Sequence, residues 1–102
     1  MGYPKSQNRY GMKNNPLVSI ITVNYNQAEV TADFLRSLSV LVYRHFEVIV
    51  VDNSSAEPSA SLKQQFPFII HITSPQNIGF AGGNNIGLLF AKGEYEIGRA
   101  HV

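Results

Sequence analysis

The residues of this chain whose types and spacing could do chemistry each follow an apolar run. Asp52 closes FEVIVV and opens Asp52-Asn53-Ser54-Ser55. A carboxylate there accepts hydrogen bonds, either from its own turn, as Asp and Asn commonly do after a strand, or from the N–H of a base or the hydroxyls of a ribose. Tyr25 closes LVSIITVNYN between Asn24 and Asn26, whose amides keep the ring near water. Such a ring packs at the rim of a core or stacks on a nucleobase, a contact worth on the order of 1–3 kcal/mol. Asn77-Ile78-Gly79-Phe80-Ala81-Gly82-Gly83-Asn84-Asn85-Ile86-Gly87 is rich in glycine. Its glycines permit close helix–sheet packing, and they also expose backbone N–H groups that suit a diphosphate at a helix N-terminus.

The elements that must position these residues follow from periodicity. Leu17 to Asn26 is too short for a helix, and Val18, Ile20, Ile21 and Val23 put β-branched side chains on both faces of an extended chain, as a strand buried on both sides requires. Ala28 to Val42 predicts a helix whose apolar stripe is Val30, Phe34, Leu35, Leu38 and Leu41 or Val42, with Thr31 off it. FEVIVV predicts a second strand. Ser55 to Pro58 reads as a helix start, because Pro is tolerated in a first turn, and Pro67 limits that helix. Phe68 to Thr73, FIIHIT, predicts a third strand; Gly79 to Lys92 reads as a glycine-rich loop entering a helix with Ile86, Leu89 and Phe90 inward. Strands alternating with helices over short connections predict an α/β fold, a Rossmann-like parallel sheet with flanking helices. Ligands of such sheets bind at the carboxyl ends of the strands, where Tyr25 and Asp52 stand.

Bulk properties exclude several classes. At 102 residues the chain holds one domain at most, and a hydrophobic fraction of 44% is that of a globular protein. A net charge of +1 gives no basic surface for nucleic acid. The absence of cysteine removes disulfides, thiolate metal sites and cysteine nucleophiles, and it is compatible with a reducing compartment. His45, His71 and His101 have no spacing that suggests a shared metal. No apolar run is long enough to cross a bilayer, and residues 1–16, polar and without periodicity, read as a flexible N-terminal tail.

Taken together, VSIITVNYNQ, FEVIVVDNSS and NIGFAGGNNIG, followed by AKGEY, resemble the opening of a family 2 glycosyltransferase with the GT-A fold, most of all its rhamnosyltransferase-like branch. The resemblance spans residues 17–95 in order and spacing. It implies an incomplete GT-A nucleotide-binding half that takes a nucleotide-diphosphate sugar as donor and a carbohydrate or lipid-linked acceptor. It also implies a divalent cation, Mg or Mn, in the full-length parent, and a cytoplasmic enzyme, peripheral at the cytoplasmic membrane face as a second reading. By position, Val23 and Tyr25 line the nucleobase pocket and Asp52 accepts a base N–H. Asn77, Gly79, Gly82, Gly83, Asn84 and Asn85 border the diphosphate and ribose, with Asn84 standing where many relatives carry arginine.

In the family, AKGEY leads into a strand such as LLFLNPD, whose acid pair binds metal and diphosphate; this chain reads EIGRAHV instead. With no such pair and no later carboxylate to act as base, the resemblance assigns no catalytic and no metal-binding residue, and it implies an inert segment. The codons GAG ATC GGA AGA GCA CAC GTC would encode EIGRAHV and resemble a sequencing-library adapter, so residues 96–102 read as a non-native tail. Two other readings stay open: a non-catalytic nucleotide-binding fragment, and a dinucleotide-binding oxidoreductase domain. The latter requires G-x-G-x-x-G directly after the first strand, where this chain has NYNQAEV.

Overall fold

The computed structural model describes residues 15–55 and 59–100. The chain runs β1 (Val18–Asn24), α1 (Ala28–Ser37), a short 3-10 turn (Leu38–Val40), β2 (Phe46–Asp52), α2 (Ser61–Gln65), β3 (Ile70–Thr73), α3 (Gly79–Phe90) and β4 (Tyr95–Ala100). The strands form one parallel sheet in the order β3-β2-β1-β4. Alternation along β1 and β2 divides the core. Ile20, Val48 and Val50 pack with Ala32, Leu35, Leu38, Leu62 and Ile69 on one face. Ile21, Ile49 and Val51 pack with Ile70, Ile72, Ile86 and Ala91 on the other.

The register sets the site. Asn24 lies opposite Asp52, so the first two strands end level with each other, and the Asn53 N–H extends the pairing to the Asn24 carbonyl at 2.8 Å.

Several elements differ from the periodicity. The α1 helix buries Thr31, Ala32 and Leu35, while Val30 is exposed. Leu41 and Val42 are also exposed, because the helix closes at Ser37. There the Ser37 and Ser39 hydroxyls donate to the Phe34 and Arg36 carbonyls at 2.6 and 2.8 Å, satisfying last-turn acceptors that a longer helix would use. The second helix begins at Ser61; Ser55 is not helical, and residues 56–58 of the expected start lie outside the described residues. The third strand begins at Ile70, and Phe68 is exposed.

The glycine-rich stretch is not a loop but the body of α3. Gly83 and Gly87, four apart, form its buried face: a Cβ at Gly83 would stand 2.8 Å from Val23 Cγ1, and one at Gly87 2.4 Å from Ile21 Cγ2. Because the glycines face the sheet, Leu89 and Phe90 turn outward and only Ile86 flanks the core.

The fourth strand, Tyr95–Ala100, takes in residues 96–100 of the stretch read from sequence as a non-native tail. Residues 95–100 pair with β1 from Val18↔Tyr95 to Val23↔Ala100, so the outer edge on that side is β4 rather than β1. Its chemistry suits the slot poorly. Arg99 stands opposite Thr22; its guanidinium lies over the Phe34 ring, 4.2 Å from the centroid, but Arg99 Nε and Thr22 Oγ1 are buried with no hydrogen-bond partner among the described residues.

Candidate functional site

The carboxyl edge of the sheet carries two clefts. The first, of about 240 Å³, is lined by Val23, Tyr25, Gln27, Asn53, Asn77, Gly79 and Phe80. The second, of about 270 Å³, is lined by Asp52, Ser54, Ser55, Ser59, His71, Thr73 and their neighbours. Asp52 and Asn53 are consecutive at the end of β2, so their side chains point to opposite faces and each serves one cleft. A ligand that touches both clefts must lie across the strand ends.

Side-chain amides shape the first cleft. Asn53 is buried at the end of β2; its Nδ2 donates to the Gly79 carbonyl at 2.9 Å, and its Oδ1 accepts the Ile78 N–H at 3.0 Å. Asn77 Oδ1 accepts the Gly79 N–H at 2.9 Å. Gly79 takes φ +77°, a left-handed turn that a side chain would strain. These contacts fix the start of α3 beside Tyr25, and the next N–H groups of the helix have no partner within it. Tyr25 is 47% exposed as a residue and lines this cleft.

Asp52 has different surroundings. It is buried, and its Oδ1 accepts from Asn24 Nδ2 at 2.9 Å and from the Ser55 hydroxyl at 2.5 Å. Its Oδ2 accepts only a long bond of 3.4 Å, from the Ser55 N–H, among the described residues.

Of the residues singled out from sequence, the structure gathers Val23, Tyr25, Asn77 and Gly79 into the first cleft and places Asp52 in the second. Gly82 and Gly83 lie further along α3, Gly82 against Ile78 and Gly83 under Val23. The Asn84 amide sits against Gly98 of β4, with its Oδ1 buried and unpartnered among the described residues. Asn85 is exposed. Sequence reasoning passed over Asn24, Thr31, Asn53 and Ser55. The level endings of β1 and β2, which set Asn24 beside Asp52, emerge only from the register.

Among the described residues no group of three His, Asp or Glu could hold a metal ion. No helix among them is long and apolar enough to cross a membrane.

His71 faces the second cleft, its Nε2 2.9 Å from the hydroxyl of buried Ser59. Burial holds its pKa below the ordinary 6.5, an effect that the Asp52 carboxylate opposes and Lys63 reinforces. The unfolded chain therefore takes up a proton before the folded one does. The contribution to stability is complete above 6.5 and is lost as pH falls toward the lower folded value. Melting temperature should drop between about pH 7.5 and about pH 5.5, and less so in His71→Gln. An unchanged slope in that variant would remove His71 as the source.

Residues 19–97 match the sequence profile described as Glycosyl transferase family 2. The chain is 34% identical over 84 residues to TuaG of Bacillus subtilis, named for teichuronic acid biosynthesis, with 78% of this chain and 33% of that protein covered. It is 32% identical over 93 residues to WcaA of Escherichia coli, named for colanic acid biosynthesis, covering 85% of this chain and 33% of that one. The chain thus spans about a third of the length of these relatives. Among solved structures it is similar to the mannosyltransferase PcManGT of Pyrobaculum calidifontis, in complex with GDP-Man and Mn2+. There the TM-score is 0.70 at 26% identity over 78% of this chain and 26% of that one. Residues 1–349 of S. aureus TarS share the fold, with a TM-score of 0.72 at 24% identity over 81% of this chain and 26% of that one. The dinucleotide-binding reading falls with these matches, and the β1–α1 turn, held by Asn26 at φ 54° in place of glycines, agrees. The chain belongs to Glycosyl transferase family 2, and its sheet and helices are the N-terminal part of a GT-A fold.

Proposed function

We propose that these residues are the donor-nucleotide platform of a glycosyltransferase that moves a sugar from a nucleotide-diphosphate donor to a carbohydrate or lipid-linked acceptor. The observation that carries this reading is the pair of clefts at the strand ends: an exposed aromatic face at Tyr25, a carboxylate oxygen with spare acceptor capacity at Asp52, and the start of α3 between the arms of Asn53 and Asn77. A base stacked on Tyr25 and reaching Asp52 crosses the edge, while its diphosphate approaches the first turn of α3, where backbone N–H groups favour anions. Val23 forms the floor beneath Tyr25. The GDP-Man and Mn2+ held by the mannosyltransferase neighbour support a nucleotide sugar and a cation for the whole enzyme. The acids for that cation are assigned to the parent outside the described residues. The relatives' names support a polysaccharide as the product class, and the rhamnosyltransferase-like branch rests on the motifs alone.

Stacking and one or two hydrogen bonds sum to a Kd on the order of millimolar for UDP or GDP binding to this chain. Titration followed by NMR should show saturable shifts at residues 23–27 and 77–81. Tyr25→Ala should weaken binding by about fivefold or more through lost stacking, and Tyr25→Phe should be nearly silent. Equal binding by Tyr25→Ala, or shifts elsewhere, would defeat the assignment.

A further inference from the structure

We infer that Thr31 and Asn24 are positioning residues that lock the Asp52 carboxylate so that Oδ1 is consumed internally and Oδ2 is reserved for the ligand; this rests on the nucleotide-binding reading above. Asn24 and Thr31 have no exposed surface. The Thr31 hydroxyl donates to Asn24 Oδ1 at 2.7 Å, and Asn24 Nδ2 donates to Asp52 Oδ1 at 2.9 Å and to Ser55 Oγ at 3.3 Å. The direction of the chain of bonds is forced. A carboxylate only accepts, so the amide nitrogen must face Asp52, the amide oxygen must face α1, and the threonine must supply the proton.

Ser55 closes the circuit. Its hydroxyl donates to Asp52 Oδ1 at 2.5 Å and accepts the Asn26 N–H at 2.8 Å as well as Asn24 Nδ2. One proton and two lone pairs are thereby all engaged. The network ties the first turn of α1 to the ends of β1 and β2 and to both loops that follow them. Each loop carries a non-glycine residue in the left-handed region, Asn26 at φ 54° and Ser54 at φ 64°, so the tie holds backbone shapes that neither loop would favour alone. Thr31 thus acts on the ligand through two other side chains.

The test compares Thr31→Val, which keeps shape and removes the donor, with Thr31→Ser, which restores it, in wild-type and Asp52→Asn backgrounds of the full chain. UDP and GDP are the probes, and amide exchange by NMR is a second readout. Thr31→Val should weaken nucleotide binding by roughly threefold to tenfold, as expected for one lost orienting bond. It should add nothing in the Asp52→Asn background, and Thr31→Ser should restore affinity. Exchange at the Asn26 and Ser55 amides should accelerate selectively relative to Val48 and Val50. An equal loss in both backgrounds, or uniform acceleration everywhere, would mean a purely structural threonine and overturn the inference. Should the unmutated chain bind neither nucleotide, the functional reading fails, while selective exchange still supports the lock and uniform or unchanged exchange still sinks it. If Thr31→Val does not fold, Ser55→Ala provides the same comparison at Asn26.

Discussion

Gly87→Val should lower the melting temperature by on the order of 10–20 °C, from an overpacking cost near the top of about 1–3 kcal/mol and about 4–8 °C per kcal/mol for a domain of this size. Among the described glycines this is where an added Cβ would come closest to a neighbour. A Cβ there would stand 2.4 Å from Ile21 Cγ2 and 3.3 Å from Ile21 Cγ1. Ile21 is fully buried at the centre of β1 and cannot move aside without disturbing Ile49 and Val51 beside it. Valine adds two branches to that clash, so α3 must lift from the sheet as a body, and with it Gly79, Phe80 and the cleft wall they form. Gly79→Ala is the matched control. A Cβ there meets nothing within 4 Å, and the only cost is the left-handed φ of 77°, about 1–2 kcal/mol. Thermal unfolding followed by circular dichroism should show the larger drop for Gly87→Val. If Gly87→Val melts with the parent, α3 does not lie on β1 at this distance and the glycine cluster has some purpose other than packing.

What the sequence disclosed, and what it hid, follows from which forces leave a pattern. The strands were legible because Ile20, Ile21, Val48, Ile49, Val50 and Val51 are β-branched and buried on alternating faces, and burial on both sides selects for that run. Helix α3 was misread because glycine inside a helix costs about 1 kcal/mol relative to alanine, a cost that close contact with Ile21 and Val23 overrides and that no propensity records. The stripe on α1 was misplaced for a polar reason. Thr31 is buried because Asn24 Oδ1 needs its proton, and that demand rotates the inward face away from Val30. Tyr25 and Asp52 stood out as endings of apolar runs, whereas Asn24 and Ser55 became visible only once the register set the two strand ends side by side.

Asp52→Ala and Asp52→Asn should part company, and the difference tests what the carboxylate is for. Alanine removes Oδ1 from the network and leaves the buried Asn24 Nδ2 and the Ser55 hydroxyl with a lost partner, a cost of about 1–3 kcal/mol in stability. It also removes Oδ2 from the cleft. Asparagine keeps an oxygen where Oδ1 was, so Asn24 Nδ2 and the Ser55 hydroxyl stay satisfied, but it presents an N–H2 donor where Oδ2 had accepted, which costs the long bond from the Ser55 N–H. Stability should therefore fall in Asp52→Ala and fall less in Asp52→Asn, which loses only the long Ser55 N–H bond. Nucleotide affinity should fall in both by roughly tenfold, the equivalent of about 1.4 kcal/mol, with the asparagine at least as damaging because its donor meets the base N–H. If Asp52 holds the base as proposed, the same loss in the intact enzyme should appear as a raised donor KM with kcat nearly unchanged, since a contact remote from the bond that breaks is made equally in ground and transition states. Calorimetric melting and isothermal titration read the two quantities independently. Unimpaired nucleotide binding in Asp52→Asn would reduce Asp52 to a turn anchor for Ser55, and a collapse of kcat at constant donor KM would move it from the binding platform to the chemical step.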